Sequence, residues 1–362
     1  MVDPRPEVAS MTLYSPGMPL SQARADSGRQ ELLKLASNES LWGPSPKSVA
    51  AASNVLAQLN YYPVVREPEL LEAIGRRHGL ESSQILVGNG ADEVLRLIAQ
   101  AYVRSGDEVV FPSPSFSAYR HSTLLTGGTP VPVALDANGA NDLEGILAAV
   151  TNRTRLIYLC SPNNPTGAAF SASAWEDFWS RVPSHVLVVV DAAYHEFCQN
   201  TQPDIAAQIR NGRPVVWVRT FSKLFALASL RVGWAAGPAS VIASLWKVRD
   251  AFSVNAVAWA AARGALEDTE YFERVVAETI AARTYFMNQL TEAGIAYYPS
   301  DANFVTVRIF GDDDEFSRSM LGSGYVVRLT KVFGLAGYAR ITVPPMPYID
   351  ELVETIKNLS RS

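Results

Sequence analysis

A lysine flanked by hydroxyl side chains, with an arginine close behind it, is the part of this 362-residue sequence best equipped for chemistry. Thr220-Phe221-Ser222-Lys223 follows the apolar run Pro214-Val215-Val216-Trp217-Val218, and Arg231 stands eight residues beyond the lysine. The run reads as a buried strand. A lysine cation is costly to bury, and at a strand end it suits Schiff-base chemistry. Two hydroxyls and a guanidinium beside it are the donors a phosphate needs. A lysine with a phosphate cradle points to pyridoxal 5′-phosphate (PLP).

Further polar residues sit where other apolar runs end. Asp191 follows Val188-Val189-Val190. An ionised carboxylate there needs a partner, and a pyridinium N–H supplies one. Tyr194, three residues on, can reach a ring phenolate oxygen. Asn164, within Ser161-Pro162-Asn163-Asn164-Pro165-Thr166-Gly167, would point an amide into the same crevice. Gly88-Asn89-Gly90-Ala91-Asp92-Glu93 joins a strand to a helix, where backbone N–H groups and the helix dipole favour an anion. The third glycine of a dinucleotide fingerprint is missing, which disfavours NAD. Taken singly, each has a plainer reading. Asp92 suits a helix cap, the Pro/Asn/Gly segment a turn, and Asp191 a cap or a core ion pair. His78, His121, His185 and His195 show no metal-ligand spacing, so no metal is expected and the histidines read as structural.

The elements that must position these residues alternate. Short β-rich runs at 85–87, 108–111, 155–160, 186–190 and 214–218 are separated by helical patterns such as 92–103 and 172–181. This predicts an α/β fold with a mainly parallel sheet covered by helices on its faces. Ligands of such sheets bind beyond the carboxyl ends of the strands. After about residue 245 a long helix-compatible segment, 241–290, precedes strands at 303–307 and 325–328 and a final helix over 348–359. The expected division is a large cofactor-binding domain, 40–245, and a smaller α/β domain made from 1–39 and 246–362.

Composition narrows the function. Hydrophobic residues are 48% and charged residues 19% of the chain, which suits a soluble globular protein. With 31 basic and 36 acidic residues the net charge is −5, so a nucleic-acid partner is not expected. The N-terminus lacks the features of a signal peptide, and the longest uncharged stretches are too short to span a bilayer. Cys160 and Cys198 form no CxxC, which fits a reducing, cytoplasmic setting.

As a set, Asn164, Asp191, Tyr194, Lys223 and Arg231 resemble the site of fold type I PLP-dependent aminotransferases. The resemblance extends to the histidinol-phosphate aminotransferase family. It is carried by Pro16-Gly17-x-Pro19, Lys34-Leu35-Ala36-Ser37-Asn38-Glu39, Gly43-Pro44-Ser45-Pro46-Lys47, Tyr62-Pro63, Gly90-Ala91-Asp92-Glu93, Cys160 to Gly167, Phe221-Ser222-Lys223 and Arg340-Ile341-Thr342-Val343. The resemblance implies that Lys223 holds PLP and shuttles a proton, that Asp191 keeps the pyridine nitrogen protonated, and that Tyr194 and Asn164 bind the 3′-oxygen. It implies that Phe116 stacks on the ring, and that Gly90, Ala91, Asp92, Thr220, Ser222 and Arg231 hold the phosphate. Tyr62 would reach the phosphate of a neighbouring subunit, implying a homodimer with shared sites. Arg340 would bind a substrate carboxylate, Asn38 would line the mouth, and Arg328 would meet a distal phosphate, its plainer reading being a surface ion pair.

The expected activity is amino-group exchange between histidinol phosphate, or an aromatic or related amine, and 2-oxoglutarate/glutamate. The chain departs from the family pattern at Ala192, Val64-Val65, Leu224, Ser229, Pro344-Pro345-Met346-Pro347 and Ser40-Leu41-Trp42. None of these removes a cofactor contact, but several flank the substrate side. A PLP-dependent lyase, decarboxylase or cyclase on the same scaffold is therefore the alternative. A PLP-binding regulator would need a DNA-binding module, and no basic helix-turn-helix region precedes this domain.

Overall fold

Buried apolar runs set the centre of the molecule. The structure is a computed structural model and describes residues 2–9, 11, 13 and 16–359; residues 1, 10, 12, 14, 15 and 360–362 of the expected smaller domain lie outside it. Strand β1 (Leu33–Lys34) belongs to the periphery. The central sheet has seven strands: β2 (Ile85–Gly88), β3 (Glu108–Ser113), β4 (Thr129–Ala134), β5 (Thr154–Cys160), β6 (Leu187–Asp191), β7 (Val215–Thr220) and β8 (Gly233–Ala236). Their spatial order is β2-β8-β7-β6-β5-β3-β4. Only β8 runs antiparallel to its neighbours. Strands β6 and β7 are buried along their whole length, as the continuous apolar runs require for a sheet covered on both faces.

Two strands of the central sheet escaped the sequence reading for physical reasons. Pro130 and Pro132 argue against a strand, yet β4 sits at the sheet edge, where a missing N–H is tolerated. β8 is only Gly-Trp-Ala-Ala and carries little periodic signal. Helices cover both faces. Pro68–His78 and Ala172–Arg181 contribute Leu71, Ile74, Trp175 and Phe178 to one core, while Gly90–Tyr102 and Ala239–Val248 contribute Leu95, Ile98, Ile242 and Leu245 to the other.

A smaller assembly follows. Strands β9 (Tyr297–Tyr298), β10 (Phe304–Arg308), β12 (Arg328–Leu329) and β13 (Tyr338–Thr342) form one antiparallel sheet, and β11 (Tyr325–Val326) pairs in parallel with β1. The run expected as a single strand over 325–328 thus changes sheets at Val327. The long helical segment expected over 241–290 is three helices, Ala239–Val248, Ala256–Leu266 and Thr269–Glu292. Asn255 caps the second by accepting the Ala258 N–H at 2.8 Å. That helix packs Ala258, Trp259, Ala261 and Ala262 into the large core. The third contributes Phe272 and Val275 to the large core but Ala282, Phe286 and Leu290 to the small one. The two ends of that helix thus pack into different cores.

Candidate active site

The carboxyl ends of β2, β5, β6 and β7 open onto one cavity. Strand β7 ends at Thr220, and the chain turns there as Ser222 N–H bonds Thr220 Oγ1 at 3.0 Å. That turn carries Lys223 to the cavity floor, where its Nζ donates to the Ser37 carbonyl at 3.1 Å. Burial pushes the Lys223 ammonium down to about 8, and Arg340 adds to the shift.

Asp191 closes β6 and is 4% exposed. Burial pushes its carboxyl up to about 6, against the pull of two donors. These are the Tyr119 hydroxyl, 2.8 Å from Oδ2, and the Ala193 N–H, 3.2 Å from Oδ1. Among the described residues no lysine or arginine forms a salt bridge with it. Tyr194 accepts a hydrogen bond from Asn38 Nδ2 at 3.0 Å, and burial raises its phenol.

The anion cradle lies beside this pair. Helix Gly90–Tyr102 begins at the end of β2 without a side-chain cap. Gly90 adopts φ +80, and a Cβ there would stand 2.5 Å from Arg231 Nη2, so only glycine lets the guanidinium approach. Arg231, itself at φ 55, pairs with Asp92 at 2.9 Å and reaches Ser222 Oγ at 3.4 Å.

The opposite wall comes from the smaller sheet. Along β13, Ala339 and Ile341 enter the small core, so Arg340 and Thr342 face the other way. Arg328 is the direct cross-strand partner of Arg340. Like charges opposite one another are unfavourable, and the arrangement suits an anion between them. Phe333 lies under both guanidiniums, 5.7 Å from Arg328 and 5.4 Å from Arg340. Arg340 also bonds Asn164 Oδ1 and the Ala36 carbonyl, and Arg328 bonds the Pro16 carbonyl. Asn38, at φ 55, is held by its N–H to Thr342 Oγ1 at 3.0 Å.

Of the residues singled out from the sequence, Asn38, Ala91, Asp92, Phe116, Asn164, Asp191, Tyr194, Thr220, Ser222, Lys223, Arg231, Arg328 and Arg340 line this cavity. Gly90 lies behind Arg231. Tyr62 is outside, 82% exposed and stacked on Phe252 at 4.7 Å. Arg328 is buried, at 8% exposure, rather than at the surface. His195 packs edge-on against Trp217 at 5.4 Å, in a separate pocket with His78 and Arg219. Glu39 and Phe333, which line the cavity, and Tyr119, which bonds Asp191, are among the contributors not assigned a role from the sequence. Tyr119 carried a usable signal, since it follows the expected stacking residue Phe116 by three positions at a helix start.

The donor set fits PLP. A buried carboxylate with no salt bridge among the described residues, a lysine of low basicity and an arginine at an open helix N-terminus match the cofactor's ring nitrogen, aldehyde and phosphate.

Comparison with known proteins agrees. The family model for aminotransferase class I and II matches residues 30–356. Histidinol-phosphate aminotransferase of Symbiobacterium thermophilum is 39% identical over 98% of this chain and 97% of its own length. That of Rhodospirillum centenum is 40% identical over 91% of this chain and 92% of its own. The solved structure of histidinol-phosphate aminotransferase from Sinorhizobium meliloti, in complex with pyridoxal 5′-phosphate, superposes with a TM-score of 0.87 at 27% identity, covering 99% of this chain and 97% of that one. Fold, cavity and relatives agree, and the chain belongs to the class I and II aminotransferases.

Proposed function

We propose that this chain is a PLP-dependent aminotransferase exchanging an amino group between histidinol phosphate, or an aromatic or related amine, and 2-oxoglutarate/glutamate in a ping-pong reaction. The observation that carries the reading is a single cavity with Lys223 and Asp191 on one wall and the paired Arg328 and Arg340 on the other. Relatives bearing the histidinol-phosphate name along nearly their full length support the substrate.

When bound, PLP supplies an electron-withdrawing ring that acidifies the substrate Cα–H. Asp191 would hold the proton on the ring nitrogen. Tyr194 and Asn164 would orient the 3′-oxygen, with Asn38 bracing Tyr194. Phe116 would cover one ring face. The N–H groups of the Gly90–Asp92 turn, the Thr220 and Ser222 hydroxyls and Arg231 would hold the phosphate. Lys223 would anchor the cofactor, and its Nζ, made less basic by burial, would move the proton at Cα. Arg340 would grip a substrate carboxylate through two parallel N–H groups, and Arg328 would meet a distal phosphate.

The reading includes a homodimer with shared sites. Tyr62 would serve the neighbour's phosphate, and Leu59, Tyr61, Tyr62, Val64, Val65 and Phe252 form exposed apolar surface around it. Among the described residues no helix is long and apolar enough to cross a membrane. The same reading divides the chain into a large cofactor-binding unit, 40–245, and a smaller unit drawn from 1–39 and 246–362.

The test is direct. Purified protein given PLP, histidinol phosphate and 2-oxoglutarate should form glutamate in proportion to the amine consumed. Silence with this donor and with aromatic amino acids would sink the proposal.

A further inference from the structure

Tyr119 is 0% exposed and points its hydroxyl at a second buried residue. The hydroxyl lies 2.8 Å from Asp191 Oδ2, across 72 positions of sequence. Its ring stacks on Tyr158 at 4.9 Å and meets Phe116 edge-on at 6.0 Å. The phenol cannot turn away without displacing both rings. Asp191 Oδ1 is held from the other side by the Ala193 N–H at 3.2 Å. One donor on each oxygen fixes the plane of the carboxylate.

We propose that Tyr119 is a positioning residue for the cofactor chemistry: its hydroxyl sets the orientation and favours the ionised state of the Asp191 carboxylate. This rests on the PLP reading above, in which Asp191 faces the ring nitrogen. The physical reason is local. Burial favours a neutral carboxyl, which could not hold a ring proton, and a neutral phenol donor favours the carboxylate. Burial and the Asp191 charge both keep the Tyr119 phenol protonated, so it remains a donor. The other titratable groups bearing on this pair are Cys160, Tyr158, Tyr194, Asp92 and Lys223. The Cys160 thiol is pushed up to about 12 by burial and stays neutral. The Tyr158 hydroxyl donates to the Leu95 carbonyl at 3.1 Å. Asn38 bonds the Tyr194 oxygen at 3.0 Å. Asp92 pairs with Arg231. Lys223 donates to Ser37. None of them replaces the Tyr119 donor.

The experiment reads the carboxylate itself. In the full chain without added PLP, the carboxyl carbon of Asp191 is titrated by carbon-13 NMR, and PLP release is then followed by absorbance. Tyr119→Phe should move the Asp191 midpoint upward and weaken PLP retention roughly tenfold, the scale of one hydrogen bond to a charged group. Tyr158→Phe, which removes an equally buried hydroxyl from the stacked ring, should change neither. An unmoved midpoint in Tyr119→Phe, or the same movement in Tyr158→Phe, overturns the proposal. If Tyr119→Phe does not fold, fluorotyrosine at position 119, a stronger donor of nearly the same shape, should move the midpoint downward; no movement overturns it equally. Wild-type protein that takes up no PLP sinks the functional reading and leaves the titration result standing, so the two failures are distinguishable.

Discussion

The two walls of the cavity are made in different ways. The wall bearing Lys223, Asp191 and Asn164 is one end of one sheet, and its residues follow directly from β5, β6 and β7. The wall bearing Asn38, Arg328 and Arg340 is assembled from the two ends of the chain, with Asn38 and Thr342 bonded across 304 positions. A sheet end is held by its neighbouring strands on either side and tolerates little variation. A surface pieced together from a loop, short strands and a turn can be reshaped one residue at a time. The first wall therefore suits the fixed cofactor, and the second suits substrates that differ. The departures from the family pattern at Ser40-Leu41-Trp42 and Pro344-Pro345-Met346-Pro347 fall on segments adjoining the second wall.

Substitutions can break that contrast. Lys223→Ala should give the largest effect, lowering transamination by ~10⁴-fold or more with every substrate and removing the lysine-dependent PLP absorption band. Retention of that band would place the cofactor elsewhere. Asp191→Asn should lower kcat by roughly 10²-fold for all amino donors alike, because on the proposed reading Asp191 would act on the ring and not on the donor. A loss confined to one donor would dissolve the distinction between the walls. Arg340→Lys keeps the charge but loses the planar fork. It should raise KM for carboxylate substrates by about tenfold, with a smaller change in kcat, as steady-state kinetics would show.

The smallest effect is electrostatic and crosses the cavity. Lys223 titrates near 8 when folded, below its ordinary 10.5. Between those values the unfolded chain binds the proton and the folded chain does not, so this group makes stability rise with pH across that window. Uptake of PLP by the unliganded chain should be half-maximal near pH 8 on the same account. Arg340→Met removes one of the cations that depress Lys223 and should move that midpoint upward. Stopped-flow absorbance over a pH series would detect it, and an unmoved midpoint would show the walls to be electrostatically independent.

What was legible in the sequence follows the same division. β6 and β7 were readable because strands buried on both faces are continuous apolar runs, and Asp191 and Lys223 stand out at their ends. β4 was hidden by Pro130 and Pro132, whose tolerance depends on an edge position that only the assembled sheet defines. The breaks within 241–290 depend on Asn255 acting as a cap, one side-chain bond that periodicity does not register. Tyr119 and Phe333 entered the site through contacts distant in sequence, with Asp191 in one case and with two cross-strand arginines in the other. Arg340 was visible only because it stood in a recognisable motif.

The helix Thr269–Glu292 has 24 residues and no internal glycine or proline, with its first turns in the large core and its last in the small one. At about 1.5 Å per residue it is a rod of ~36 Å. Arg283, 0% exposed, clamps its middle to the carbonyls of Phe197 and Ala302. Neither core can melt without stripping one half of this rod, and an isolated half-helix is a poor survivor in water. The cores should consequently unfold together, so that a calorimetric scan of the unliganded chain gives one endotherm whose van't Hoff and calorimetric enthalpies match.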